Sequence, residues 1–211
     1  ADSDKKDLGC HTGTISDAYR KLYLAGKLTN ARKEFDTGRS SFNLAMGSSD
    51  FYDWLRENPD LFRPDSIDYI HDPARIGKLS RVISINGGVQ VDLMGQENAE
   101  SANGMQLSGI GGQMDFLEGA FRSAGGCGYI CINSSRLTKD GVRKSNILPF
   151  IPSGSTVSAP RTLIEAVATE YGIAHLAGKS LAERREAMIA IAHPDFRDAL
   201  RFEKPDLSLF L

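Results

Sequence analysis

Five short runs between Arg81 and Gly172 constrain the fold most. RVISIN (81–86), VQVDLMG (89–95), YICIN (129–133), NILPFI (146–151) and EAVATEYG (165–172) are rich in apolar or β-branched residues and read as strands. Helical spacing appears around and between them, at about 16–26, 48–57, 113–123 and 180–192; Ser180 and Glu183 form a capping-box pair at the start of the last. Strands interleaved with helices predict an α/β fold, a mixed sheet covered by helices. Gly87 and Gly88 stand between VISIN and VQVDL and predict an antiparallel hairpin there. With no internal repeat and no low-complexity linker, residues 1–211 read as one domain.

Bulk properties exclude several classes. The 211 residues are 41% hydrophobic with 21 glycines, enough to bury a core, so a disordered or fibrous chain is excluded. A formal charge of -2 gives no broad attraction to nucleic acid or anionic membrane, so neither is expected as a partner. Three cysteines, Cys10, Cys127 and Cys131, are too few and too odd in number for a disulfide framework and suit a reducing compartment. No apolar run approaches the roughly 20 residues that span a bilayer, and the opening ADSDKKD lacks the apolar centre of a signal peptide. The expected location is the cytoplasm.

Two phosphate-loop patterns fail on spacing. In SGIGGQMDFLEGA, a dinucleotide fingerprint from Gly109 needs a third glycine at 114, where Met114 stands. GKS at 178–180 would need a glycine at 173, which is Ile173, and reads instead as a strand-to-helix turn capped by Ser180. His11, His71, His175 and His193 are scattered singly, so no metal is expected. Cys127 and Cys131 lie on one strand at even spacing and read as small buried apolar groups.

Two turns carry the polar chemistry. GCHTGTISDAYRKL (9–22) places His11, Thr12 and Gly13 in an expected exposed turn ahead of a helix opened by Ser16 and Asp17. Gly109, Gly111 and Gly112 precede the helix that starts at Gln113. Such a turn admits a ligand close to the backbone and aims helix N–H groups at it; it equally serves as a tight connection with no ligand.

The run GQENAESANGMQLSGIGGQMDFLEGAFRSAGG (95–126) resembles the C-terminal half of the acetyl-CoA hydrolase and CoA-transferase family, which includes butyrate and 4-hydroxybutyrate CoA-transferases. The likeness continues through VATEYGIAHLAGKSLAERREAMIAIAHPDFRDAL (167–200) and back through FRPDSIDYIHDPARI (62–76) to HTGTISD. It implies the second of two CoA-transferase-like domains, the first lying N-terminal in the same chain, and a homodimer acting on short-chain acyl-CoA and a carboxylate. Coenzyme A then enters as a substrate.

The resemblance also implies a mechanism. A glutamate attacks the acyl-CoA thioester to give an anhydride and then a glutamyl-CoA thioester, which a second carboxylate resolves. The family places that glutamate after His-Thr or His-Ser; here the position is Gly13, which has no side chain. Asp17 reads as a structural cap and not as a replacement. Gly112 is the implied oxyanion N–H donor, and His71 is a candidate base for water that reads equally as a simple hydrogen-bonding group. Gly109, Gly111, Gly112, Gln113, Asn98 and Lys139 are implied at the CoA site. Lys139 shares a basic loop with Arg136, Arg143 and Lys144, and a solvated loop is the competing reading. Asn98 and Glu170 match family positions and either line the site or pin turns. His193, ahead of Pro194, reads as a helix boundary. Transfer, hydrolysis by activated water and CoA binding without turnover remain as alternatives.

Overall fold

In a computed structural model, which describes residues 4–102 and 104–202, the HTGTI segment forms a strand and not a turn. Residues 1–3 of ADSDKKD and Asn103 of the long family-like run lie outside the described residues, as do residues 203–211. The chain divides into two units, Ala1–Val82 with Glu118–Gly126 and Ile83–Leu117 with Cys127–Leu211.

In the first unit, β1 (His11–Ile15), α1 (Asp17–Leu24), β2 (Ser40–Ala45), α2 (Ser49–Glu57), β3 (Phe62–Pro64), α3 (Ile67–Ile70) and α4 (Pro73–Ile76) follow in order. The strands make a parallel sheet in the order β1-β2-β3, with Thr12 opposite Phe42 and Ser41 opposite Arg63. Two threonines and Ile15 give HTGTI strand preference, and pairing with β2 overrides its turn-like polarity. Ile15, Phe42, Phe51, Trp54 and Phe62 fill the core, with the Trp54 and Phe62 rings 5.2 Å apart. The helix after β1 begins where the sequence places it, but its cap differs. Ser16 makes no capping bond. Asp17 reaches across to α2, where its carboxylate accepts from the Ser48 N–H at 3.0 Å and the Ser48 hydroxyl at 2.7 Å. Ser48 in turn caps α2 by accepting from Phe51 N–H. Gly47 makes room for this, since a Cβ there would stand 2.5 Å from Asp17 Oδ2.

The second unit contains β4 (Ile83–Gly87), β5 (Gln90–Asp92), β6 (Glu97–Asn98), β7 (Ser101–Ala102), β8 (Met105–Gln106), α5 (Gln113–Arg122), β9 (Cys127–Cys131), β10 (Ser135–Leu137), β11 (Arg143–Ser145), β12 (Ile147–Leu148), β13 (Ala166–Thr169), β14 (Gly172–His175), α6 (Leu181–Ala190) and α7 (Pro194–Phe202). From Glu118 onward α5 groups with the first unit. A four-stranded mixed sheet runs β14-β13-β9-β4, parallel except for the β13-β14 pair. A smaller sheet runs β12-β5-β6. The architecture is the expected α/β class, and Ser180 and Glu183 form both halves of the capping box on α6.

Two local expectations are corrected. The β4 and β5 segments do not form a hairpin; β4 pairs in parallel with β9, and β5 belongs to the other sheet. A two-residue primed turn needs positive φ, and neither Gly87 nor Gly88 has it. Gly88 instead permits close packing, since its Cβ would stand 2.6 Å from Glu97 Oε1 and 3.0 Å from Ile132 Cγ2. On β9, Cys127 and Cys131 do share a face, but they are half-buried; the core-facing positions are Gly128 and Ile130. Gly128 allows α5 to approach, because a Cβ there would lie 2.7 Å from Leu117.

Candidate active site

The β1 sheet face carries the first group of candidates. Gly13 falls between the register pairs Thr12–Phe42 and Thr14–Leu44, so it lies opposite Asn43, and alternation puts position 13 on the face of His11. His11 is largely buried, and its Nε2–H donates to the Ile70 carbonyl at 2.8 Å. Burial is the main cause that pushes its pKa down to about 4, with nearby Lys33 and Arg75 adding to the effect. His11 is therefore neutral at pH 7, and its Nε2 is committed as a donor. The His71 Nε2 lies 3.2 Å from Asn43 Oδ1. As an amide oxygen only accepts, the His71 Nε2–H is the donor in this contact. The fold thus brings His11, Gly13 and His71 to one sheet surface. Asp17 is occupied at Ser48, which holds its pKa below the ordinary carboxylate range.

The glycine-rich turn forms the second group. From Gly104 to Gly111 the chain is exposed; Gly111 has φ +59°, and a Cβ at Gly109 or Gly111 would meet nothing within 4 Å. Gly112 is half-buried, and its carbonyl accepts from Phe116 N–H, which opens α5. The first N–H groups of a helix have no intrahelical acceptor, so Gly112 and Gln113 present backbone donors at this end. The Gln113 side chain points elsewhere: it is buried, and its Nε2 donates to Glu97 Oε2 at 2.6 Å.

Glu97 is the residue that sequence reasoning missed. It is fully buried in β6, and Oε1 has no hydrogen-bond partner among the described residues. Burial pushes its pKa up to about 7; Gln113 pulls it down, and the charge of Glu100 raises it further. The surrounding GQENAE reads as polar throughout, and no periodicity marks the glutamate as internal.

Comparison with known proteins identifies the site's setting. Residues 47–204 match the family described as acetyl-CoA hydrolase/transferase C-terminal domain. The chain belongs to that family. It is 44% identical to a butyryl-CoA:acetate CoA-transferase from Anaerostipes caccae over 95% of this chain and 45% of that protein. RipA from Yersinia pestis is similar at 41% identity with a TM-score of 0.84, over 94% of this chain and 44% of that one. A 4-hydroxybutyrate CoA-transferase from Porphyromonas gingivalis is similar at 37% identity and TM-score 0.78, over 93% and 44%. The chain spans about half the length of the relatives it matches.

The remaining candidates in this acetyl-CoA hydrolase/transferase domain differ in what holds them. Asn98 is fully buried, and its Oδ1 accepts from the Glu100 and Ser101 N–H groups while Nδ2 donates to the Ser101 carbonyl. Glu170 accepts from the Ser134 N–H at 2.9 Å and hydroxyl at 2.6 Å; partial burial raises its pKa, but these bonds outweigh it and leave a net lowering. Both residues pin turns. Lys139 is exposed at the tip of the β10-β11 hairpin, with Arg136 bound to Asn146 and Arg143 to Ser135. His193 Nδ1 accepts from Asp195 N–H at the start of α7, which is the helix-boundary role expected for it. Among the described residues, no group of three or more His, Cys, Asp or Glu is placed to hold a metal ion, and no helix is long and apolar enough to cross a membrane.

Proposed function

We propose that the protein containing this chain acts on short-chain acyl-CoA and moves CoA between an acyl-CoA and a carboxylate. The observation that carries this reading is the exposed turn Gly109–Gly112 at the N-terminus of α5, in a chain of the acetyl-CoA hydrolase/transferase family. Gly112 N–H stabilises the oxyanion of the tetrahedral intermediate, a contribution worth about 3 to 4 kcal/mol per donor. The Gly109, Gly111 and Gln113 backbone borders the CoA thioester, Asn98 belongs to the CoA site, and Lys139 meets a CoA phosphate. CoA is a substrate here, and the reaction requires no metal. The whole protein is about twice as long as this chain, with a preceding CoA-transferase-like domain, and works as a homodimer in the cytoplasm.

Gly13 makes a second reading specific. With no carboxylate at the family's nucleophile position, water can take that role, and His71 on the same sheet face as Gly13 is the base that deprotonates it through Nδ1, with the ring turning to bring this buried nitrogen to the water while Nε2 keeps its proton. Gly13 lies in a strand without positive φ, so glutamate fits the backbone there. The test is acetyl-CoA with and without a short-chain carboxylate acceptor. Acyl exchange that needs the acceptor supports transfer, and release of CoA without acceptor that is lost in His71→Ala supports hydrolysis. Gly13→Glu is expected to raise exchange and to yield a borohydride-trapped CoA-modified carboxylate. No turnover in either protein, with CoA still bound, would leave a binding protein.

A further inference from the structure

The exposed turn is tied to the core of the second unit through one side chain. Gln113, the first residue of α5, donates its Nε2–H to Glu97 Oε2 at 2.6 Å. Glu97 is itself held at both backbone groups: its N–H donates to the Ala159 carbonyl at 3.0 Å, and its carbonyl accepts from Ser158 N–H at 2.7 Å. In β6 it stands opposite Val91. Its second carboxyl oxygen, Oε1, is buried without a partner and lies against Gly88, beside the place where the Ile130 and Ile132 methyls pack. An ionised carboxylate in this position would leave half of its lone pairs in hydrocarbon, a desolvation cost that a single amide hydrogen bond does not offset. Glu100 is the charged neighbour that acts on it, and it too disfavours the anion.

We propose that Glu97 is a positioning residue for the glycine-rich turn: as the neutral acid it clamps Gln113 and so fixes the adjacent Gly112 N–H, and its ionisation releases the clamp. The consequence for chemistry rests on Gly112 being the oxyanion donor; the clamp itself does not. Burial sets the Glu97 pKa at about 7, so the release falls near neutrality. Below it, Oε2 is the carbonyl oxygen that accepts from Gln113. Above it, the carboxylate gains by reaching water, and the first turn of α5 loosens with it.

Amide hydrogen exchange of Gly112 and Gln113, corrected for the intrinsic pH dependence, tests this in the wild type, Glu97→Gln and Glu97→Val. Wild-type protection is expected to fall by about tenfold as the pH passes from about 6 to about 8. Glu97→Gln keeps the acceptor and cannot ionise, so its protection stays high and flat with pH. Glu97→Val has no acceptor and exchanges fast throughout, while the Ile130 and Val167 amides keep their protection. A wild-type profile as flat as that of Glu97→Gln overturns the proposal, even if Glu97→Val does not fold. So does a folded Glu97→Val with wild-type protection at Gly112 and Gln113. Failure of the Gly112 reading looks different: acetyl-CoA would leave the wild-type Gly112 amide unmoved while the Glu97 variants still changed its exchange.

Discussion

His11 donates its Nε2–H to the Ile70 carbonyl at 2.8 Å, which holds the last residue of α3 over the strand that carries Gly13. The bond requires no charge on the ring, and burial keeps the pKa at about 4 against 6.5 for the unperturbed side chain. Between those values the unfolded chain binds more protons than the folded one. Stability therefore falls as the pH drops from about 6.5 through about 4, and the pKa difference corresponds to about 3 kcal/mol. Urea unfolding of His11→Gln is expected to lose much of this acid-side slope. An unchanged slope would exclude His11 as its source.

Gly111 and Gly109 make a contrasting pair. A Cβ at either meets nothing within 4 Å, but only Gly111 has positive φ, at +59°. Gly111→Ala is expected to cost about 1 kcal/mol from backbone strain alone, whereas Gly109→Ala should be neutral or stabilising by up to about 1 kcal/mol. Thermal unfolding of the two variants measures the difference, and equal losses would refute the conformational reading.

The link from Asp17 to Ser48 joins two helices of the first unit. Ser48→Ala removes the α2 cap, for which a loss of about 1 kcal/mol is expected in denaturant unfolding, and takes the hydroxyl donor from Asp17 while the N–H of residue 48 remains. The Asp17 pKa is lowered chiefly by the Ser48 hydroxyl. Its contribution is present above the ordinary carboxylate range and is lost as the pH falls through the lowered folded value; Ser48→Ala should show a weaker acid dependence than the wild type. Loss confined to α2, with the same acid dependence, would mean that Asp17 contributes nothing through Ser48.

Glu97 has the opposite sign. Its folded pKa of about 7 exceeds the unfolded carboxylate value, so stability is full below about 4.5 and is lost as the pH rises through about 7. Glu97→Gln should match the wild type near pH 4 and exceed it by about 3 kcal/mol at pH 8. Equal stability at both pH values would show that the buried carboxyl costs nothing to ionise.

The sequence by itself determined the elements whose causes are local. The α6 capping box at Ser180 and Glu183, the helix after the glycine-rich turn, and the run of short strands all follow from contacts within a few residues, and the motif order was enough to place the family. Tertiary structure decided what depends on partners distant in sequence. HTGTI is polar enough for a turn, but β2 pairs with it; Gly87 and Gly88 suit a hairpin, but β9 supplies a better parallel partner for β4 and the glycines serve close packing. Tertiary pairing also set His71 beside Asn43, 28 residues away, and buried Glu97 against Gln113, 16 residues away. A hydrogen bond or a desolvated carboxyl is defined by what stands opposite it, and only the folded chain determines that.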